Sequence, residues 1–150
     1  DHVLRLSLIK SAIYPDTQAD LGEHRFTYAL LPHGGDWLDG RVVEEAWLLN
    51  NPLLVTAGGS ETGHKSLFKL STDHVMVDAV KKAEDADAVV IRLHDYAGSR
   101  DQVTLNSDYQ ITSWQECDLM ERPIGERFEQ KSITFNVTPY EIKTFMVWFS

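Results

Sequence analysis

The chain has 150 residues, of which 43% are hydrophobic, 10% aromatic and 25% charged, a balance that suits one globular domain and excludes a disordered or fibrous polypeptide. A formal net charge of −9 and a pI near 5.0 oppose binding to nucleic acid or an anionic membrane, where affinity comes from Lys and Arg displacing counterions. The single cysteine, Cys117, allows no intrachain disulfide and points to a cytoplasmic setting, and no apolar run approaches the ~18–20 residues of a membrane span.

In chain order, Leu4, Leu6 and Leu8 alternate with Arg5 and Ser7, the period of a half-buried strand. The chain begins at Asp1 with neither an initiator Met nor a signal-like stretch, so the true N-terminus is expected elsewhere. Phe26, Tyr28 and Leu30 predict a second strand. Around residues 37–50, Val42, Val43, Ala46 and Trp47 share one side with Glu44 and Glu45 opposite, which predicts one short amphipathic helix. Asp36 or Asp39 is the expected cap, and Asn50-Asn51-Pro52 ends the helix. A turn follows at Gly58-Gly59-Ser60. Strands are then predicted at Val75, Val77 and Ala79, and at Val89, Ile91 and Leu93, separated by the Glu84 to Asp87 turn. Further turns fall at Gly98 to Asp101 and at Pro123-Ile124-Gly125. Ile133, Phe135 and Val137 form another strand, and the stretch from Glu141 to Phe149, apolar on both faces after Thr144, predicts a strand central in its sheet. The sum is an all-β fold, a β-sandwich with one short helix, in a single domain over residues 1–150.

Few residues fall into a catalytic pattern. The six histidines lack the spacing of a zinc motif and have one cysteine between them, so no metal ligand is assigned. Glycoside chemistry needs two acids about 5–10 Å apart, whereas Glu44/Glu45, Asp85/Asp87 and Asp118/Glu121 are neighbours on a helix face or in turns. Cys117 lies between Glu116 and Asp118, which raise a thiol pKa and blunt it as a nucleophile. No glycine-rich phosphate cradle is present, and the Asn136-Val137-Thr138 sequon falls in a predicted strand. Trp37, Trp47, Trp114 and Trp148 are assigned to packing. The exception is the stretch from Tyr14 to Asp36. It gathers Tyr14, Asp16, Asp20, Glu23, His24 and His33 among aromatics between two predicted strands, the chemistry of a loop at a cleft or domain interface.

That stretch carries a resemblance. Tyr14-Pro15-Asp16, Ala19-Asp20, Gly22-Glu23-His24, Phe26-Thr27-Tyr28-Ala29-Leu30 and Pro32-His33-Gly34-Gly35-Asp36-Trp37 resemble, in order and spacing, the C-terminal region of glycoside hydrolase family 38 α-mannosidases of the bacterial and cytosolic type. Leu49-Asn50-Asn51-Pro52-Leu53, Val80 to Asp85, Asp118 to Pro123 and Tyr140 to Thr144 are similar to later landmarks of that family. One departure is Arg92-Leu93-His94-Asp95-Tyr96, where the family shows Arg-Leu-Tyr-Glu, and the segment from Gly58 to His64 has no counterpart. The resemblance implies a retaining α-mannosidase that hydrolyses α-linked mannose through an aspartate nucleophile, with a zinc ion gripping the sugar. It implies that nucleophile and zinc site lie in an upstream catalytic domain. The resemblance further implies that residues 1–10 are the last strand of the preceding domain, and the expected role of this chain is therefore a C-terminal accessory domain with no catalytic residue, metal or cofactor of its own. Its expected partners are the parent's catalytic domain and, through it, a mannose-containing oligosaccharide. Two alternatives are an independent carbohydrate-binding module with Trp37 or Trp114 as platform, and an oligomerisation domain.

Overall fold

The computed structural model describes residues 3–58 and 63–150. The chain divides into two compact units, residues 1–51 and residues 52–150.

The first unit holds one regular element among the described residues, helix α1 (Val42–Asn50). The helix lies inside the expected range but is not capped as expected. Its N-cap position is Arg41, in the left-handed conformation and with no side-chain cap. Asp36 and Asp39 serve the preceding turn instead: Leu38 N and Asp39 N donate to Asp36 Oδ1 at 2.8 and 3.0 Å, and Asp36 N donates to Asp39 Oδ2 at 3.2 Å. The chain leaves α1 as predicted, with Asn51 N donating back to Trp47 O at 2.9 Å before Pro52. The predicted strands at Leu4 to Leu8 and Phe26 to Leu30 do not form. Among the described residues both stretches have no ladder partner, and they stand exposed, Leu4 by 78% and Leu30 by 72%. Alternation fixes which side chains share a face, but a strand exists only through hydrogen bonds to a neighbour.

The sandwich belongs to the second unit. Its strands are β1 (Lys69–Leu70), β2 (Val75–Lys82), β3 (Val89–Asp95), β4 (Asp101–Asn106), β5 (Ile111–Cys117), β6 (Pro123–Phe128), β7 (Ile133–Val137) and β8 (Ile142–Phe149). One sheet has the order β1-β4-β7 and the other β2-β3-β8-β5-β6, and every pairing is antiparallel. Val103 and Leu105 of β4 and Ile133, Phe135 and Val137 of β7 meet Ile91, Leu93, Ile111, Trp114, Phe145 and Val147 of the larger sheet in one core. Phe145 is fully buried, with the Phe135 and Trp114 rings 4.9 and 5.7 Å from its own. Each such residue contributes ~1.5–3 kcal/mol over its exposed state.

As predicted, β8 is central, flanked by β3 and β5. Its other face joins a second cluster of Ala83, Ala88, Val90, Cys117 and Met146, against which Trp148 packs. The Arg127 guanidinium lies 3.7 Å from the Trp148 ring centroid and donates to Ser113 Oγ, closing this face by cation–π contact. The expected turn at Pro123-Ile124-Gly125 is instead the start of β6. It is an edge strand, where a proline at the first position forfeits no ladder bond. The expected turn at Gly58-Gly59-Ser60 lies, beyond Gly58, outside the described residues.

Candidate functional site

Within the first unit, the six loop residues named from the sequence are all exposed. Asp16 Oδ1 accepts from Gln18 N at 2.8 Å, His24 Nε2 bonds the Asp20 carbonyl at 2.8 Å, Glu23 pairs with Arg25, and His33 Nδ1 is 3.2 Å from Gly34 O. Tyr14 is 86% exposed. The structure thus brings Asp20 and His24 together, through the Asp20 backbone, and holds each of the others in its own local turn. The Pro32 to Trp37 motif is compact for a steric reason. Gly35 has φ +69°, and a Cβ there would stand 2.3 Å from the Asp39 carboxylate, while one on Gly40 would meet the His33 ring at 2.4 Å. None of the six lines the groove of about 470 Å³ that Leu30 and Leu31 form with Val42, Ala46 and Leu49.

A second candidate arises in the sandwich, on the face of the five-stranded sheet turned away from the core. Val77 pairs with Leu93 and Ala79 with Arg92, so Asp78 is the extra residue of a β-bulge. A bulge re-aims side chains. Here it carries the Asp78 carboxylate to His94 Nδ1, at 2.8 and 2.9 Å to its two oxygens. In the neutral imidazole this contact selects the tautomer in which Nδ1–H donates to Asp78 and Nε2 is an acceptor. Beside it Arg92 donates from Nε to Thr144 Oγ1 at 3.3 Å and from Nη2 to Leu119 O at 3.0 Å, which pins a guanidinium flat against the strands. With Tyr96, Tyr140 and Ile142 these residues line a groove of about 580 Å³.

The rim of that groove is clamped from beneath by Asp95, which is fully buried. Its carboxylate accepts from Gly98 N and Tyr140 N at 2.8 and 2.9 Å and from Ser99 N and Ser99 Oγ. Burial pushes its pKa up, but the Ser99 hydroxyl and the three backbone donors together outweigh burial and hold it below the usual carboxylate range. The clamp joins the loop after β3 to the loop before β8, and it holds Tyr140 at φ +61°, a conformation that costs a bulky residue ~1–3 kcal/mol. Tyr140 Oη lies over Gly98, φ +74°, where a Cβ would approach it to 2.8 Å. The sequence presents His94 as an exposed or hydrogen-bonded residue, which it is, but does not name its partner. The signal it lacked is the bulge, because alternation alone gives Asp78 no reason to face His94.

Other residues resolve simply. Cys117 is buried, and its pKa is pushed up to about 11 by burial first and then by the Glu121 and Asp118 charges, the direction predicted from its acidic neighbours. Trp114 and Trp148 pack within the sandwich, whereas Trp37 and Trp47 are 42% and 44% exposed. Trp114 is stacked on Phe128 at 4.5 Å and 94% covered, so it presents no platform to a sugar. Among the described residues no three His, Cys, Asp or Glu side chains converge to hold a metal ion. The donor set of these residues does not fit the zinc implied for the parent.

Comparison with known proteins agrees with this architecture. Residues 74–145 match the glycosyl hydrolases family 38 C-terminal beta sandwich domain. The chain is 37% identical to alpha-mannosidase 2C1 of Homo sapiens, covering 81% of the chain and 12% of that protein. It is 30% identical to alpha-mannosidase 2C1 of Mus musculus, over 97% of the chain and 15% of the relative. Alpha-mannosidase G of Dictyostelium discoideum is 32% identical over 93% of the chain and 14% of its own length. The chain therefore spans about a seventh of these relatives. No solved structure matches it. An antiparallel two-sheet sandwich over the matched segment, together with α-mannosidase relatives along nearly the whole chain, makes this chain a member of the family 38 glycosyl hydrolase C-terminal β-sandwich domains.

Proposed function

We propose that the chain is the non-catalytic C-terminal part of an α-mannosidase, and that its work is to buttress the enzyme's catalytic domain. The observation that carries this is the 37% identity to alpha-mannosidase 2C1 across 81% of the chain but only 12% of that relative. On this reading the parent removes α-linked mannose from oligosaccharides with an upstream aspartate and zinc site, and works in the cytoplasm, where a buried free thiol such as Cys117 stays reduced. Residues 1–10, of which the first two lie outside the described residues, are then the last strand of a preceding domain. Exposed apolar side chains from Leu4 to Leu8 and from Phe26 to Leu30 support that assignment, because apolar surface of this extent marks a contact face. Catalytic-domain backbone would supply the missing ladder partners.

The test is hydrolysis of an aryl α-mannoside by the full-length parent and by residues 1–150 alone, each with zinc added. Turnover by the parent and none by the chain is expected. Zinc-dependent turnover by the isolated chain would overturn the accessory assignment, and an inactive, folded parent would overturn the mannosidase assignment.

A further inference from the structure

We propose that the groove beside the β2 bulge is a saccharide-binding subsite, in which the Tyr140 ring stacks on one face of a pyranose and the Asp78–His94 pair bonds its hydroxyls. This deepens the accessory-domain reading and rests on it for the substrate class; the geometry stands on its own. The groove measures about 580 Å³, within the ~300–1,000 Å³ of small-molecule sites. Part of its lining is apolar, with Tyr140 69% and Ile142 53% exposed and Ile142 paired across the strands with His94. The rest is polar, and its groups are already oriented by partners of their own. His94 Nδ1 is held by Asp78, so Nε2, which makes no hydrogen bond among the described residues, accepts from a ligand hydroxyl. The Asp78 carboxylate is 37% exposed and has lone pairs to spare for a second hydroxyl.

An apolar ring face beside a fixed acceptor pair suits a neutral polyhydroxylated ring, which offers C–H on its faces and O–H donors around its rim. It suits an anion less well, because the Asp78 and Asp95 carboxylates also line the groove and two donors of the Arg92 guanidinium are taken by Thr144 Oγ1 and Leu119 O. Preorganisation is built in twice. The bulge places Asp78, and the buried Asp95 holds Tyr140 at φ +61° through its backbone N–H. Strain of this kind persists where surrounding structure over-determines it, and it clusters at ligand clamps.

The experiment is a titration of ¹⁵N-labelled residues 1–150 with methyl α-mannoside and an α-linked mannobiose, followed by amide shifts. Saturable shifts at residues 77–79, 92–96 and 138–142 are expected, with a Kd near the millimolar range of ~−4 kcal/mol contacts. His94→Ala should weaken binding at least about tenfold, equivalent to ~1.4 kcal/mol. Tyr140→Gly is the decisive variant, because glycine accepts the positive φ: it should keep or raise the melting temperature while abolishing binding. No saturable shift, or shifts that survive Tyr140→Gly in a folded protein, would overturn the subsite. Tighter binding of inorganic phosphate than of methyl α-mannoside would also overturn it, by making the groove an anion site. The parent's turnover of an aryl α-mannoside reports the accessory reading separately, so an active parent with a silent groove refutes only the subsite.

Discussion

Removal of the Asp95 carboxylate is expected to unfold the groove rim and to cost the sandwich more than any exposed carboxylate can. Asp95 is completely buried and accepts from Gly98 N, Ser99 N, Ser99 Oγ and Tyr140 N. Hydrogen bonds to a charged acceptor are worth ~1.5–3 kcal/mol each, and a donor left dry costs ~1–3 kcal/mol. In Asp95→Ala, four donors lose their acceptor at once. The loops they sit on are only partly buried, so water reclaims some of them, and relief of the Tyr140 strain returns ~1 kcal/mol or more. The net loss is then about 2–4 kcal/mol. The sandwich unit, residues 52–150, is of the size that shifts by ~4–8 °C per kcal/mol, so its melting temperature within residues 1–150, read by far-ultraviolet circular dichroism at neutral pH, should fall by about 8–32 °C. Asp95→Asn keeps the shape and one acceptor oxygen but turns an amide donor toward the others, and should lose about half as much. A melting temperature for Asp95→Ala within about 3 °C of wild type would show that the carboxylate closes nothing.

Acid stability follows from the same groups. Asp95 and Glu141 lie below the usual range despite burial, Asp108 does so through the Lys69 ammonium and Glu121 through that of Lys81. A carboxylate whose pKa is lower folded than unfolded adds stability above about pH 4 and loses it as pH falls through the folded value, so melting temperatures should be flat near neutrality and drop below about pH 4. At the other end Lys81, raised by Glu121 and Glu84, and Lys143, raised against burial by Glu116 and Glu141, lose their contribution as pH climbs past 10.5. Cys117, buried and with its thiol pushed up to about 11, should resist a thiol-disulfide reagent at pH 8 until denaturant is added; rapid labelling of native protein would contradict its burial. Proline at Val43 should leave α1 largely intact, since Val43 is in its first turn and the helix ladder begins with Glu45 N donating to Arg41 O, whereas proline at Trp47 should cost ~3 kcal/mol. Equal loss of helical amide shifts in both variants would mean that the helix starts earlier.

What was legible in the sequence was whatever alternation and apolar content decide. Ile133, Phe135 and Val137 all point into the core of β7, and the two-faced stretch to Phe149 is the middle of the larger sheet. Leu4, Leu6 and Leu8 alternate as cleanly, yet form no strand, because the ladder partner is not encoded in the segment itself. Pro123 and Gly125 look like a turn from composition alone, and only their position at the sheet edge makes them a strand. Helix α1 was readable as one short helix within residues 37–50, but not its start at Val42 or its cap. The acids before it are spent on the Asp36–Asp39 turn, a choice made by two glycines packed against Asp39 and His33.

The groove escaped sequence reasoning for a more particular reason. Read with period two, Val75, Val77 and Ala79 share one face, which places Asp78 on the other beside nothing in particular. In the structure Val77 lies opposite Leu93 and Ala79 opposite Arg92. Directly paired residues share a face, and neighbours along a strand do not, so Val77 and Ala79 point to opposite sides and the parity of β2 reverses between them. Asp78 is left outside the ladder, free to turn its carboxylate to His94. A strand that stayed in register would have kept the alternation legible and the imidazole unheld. One residue of slip removes the pattern and creates the contact, so the place where the periodicity fails is also the place where the face acquires an oriented polar pair.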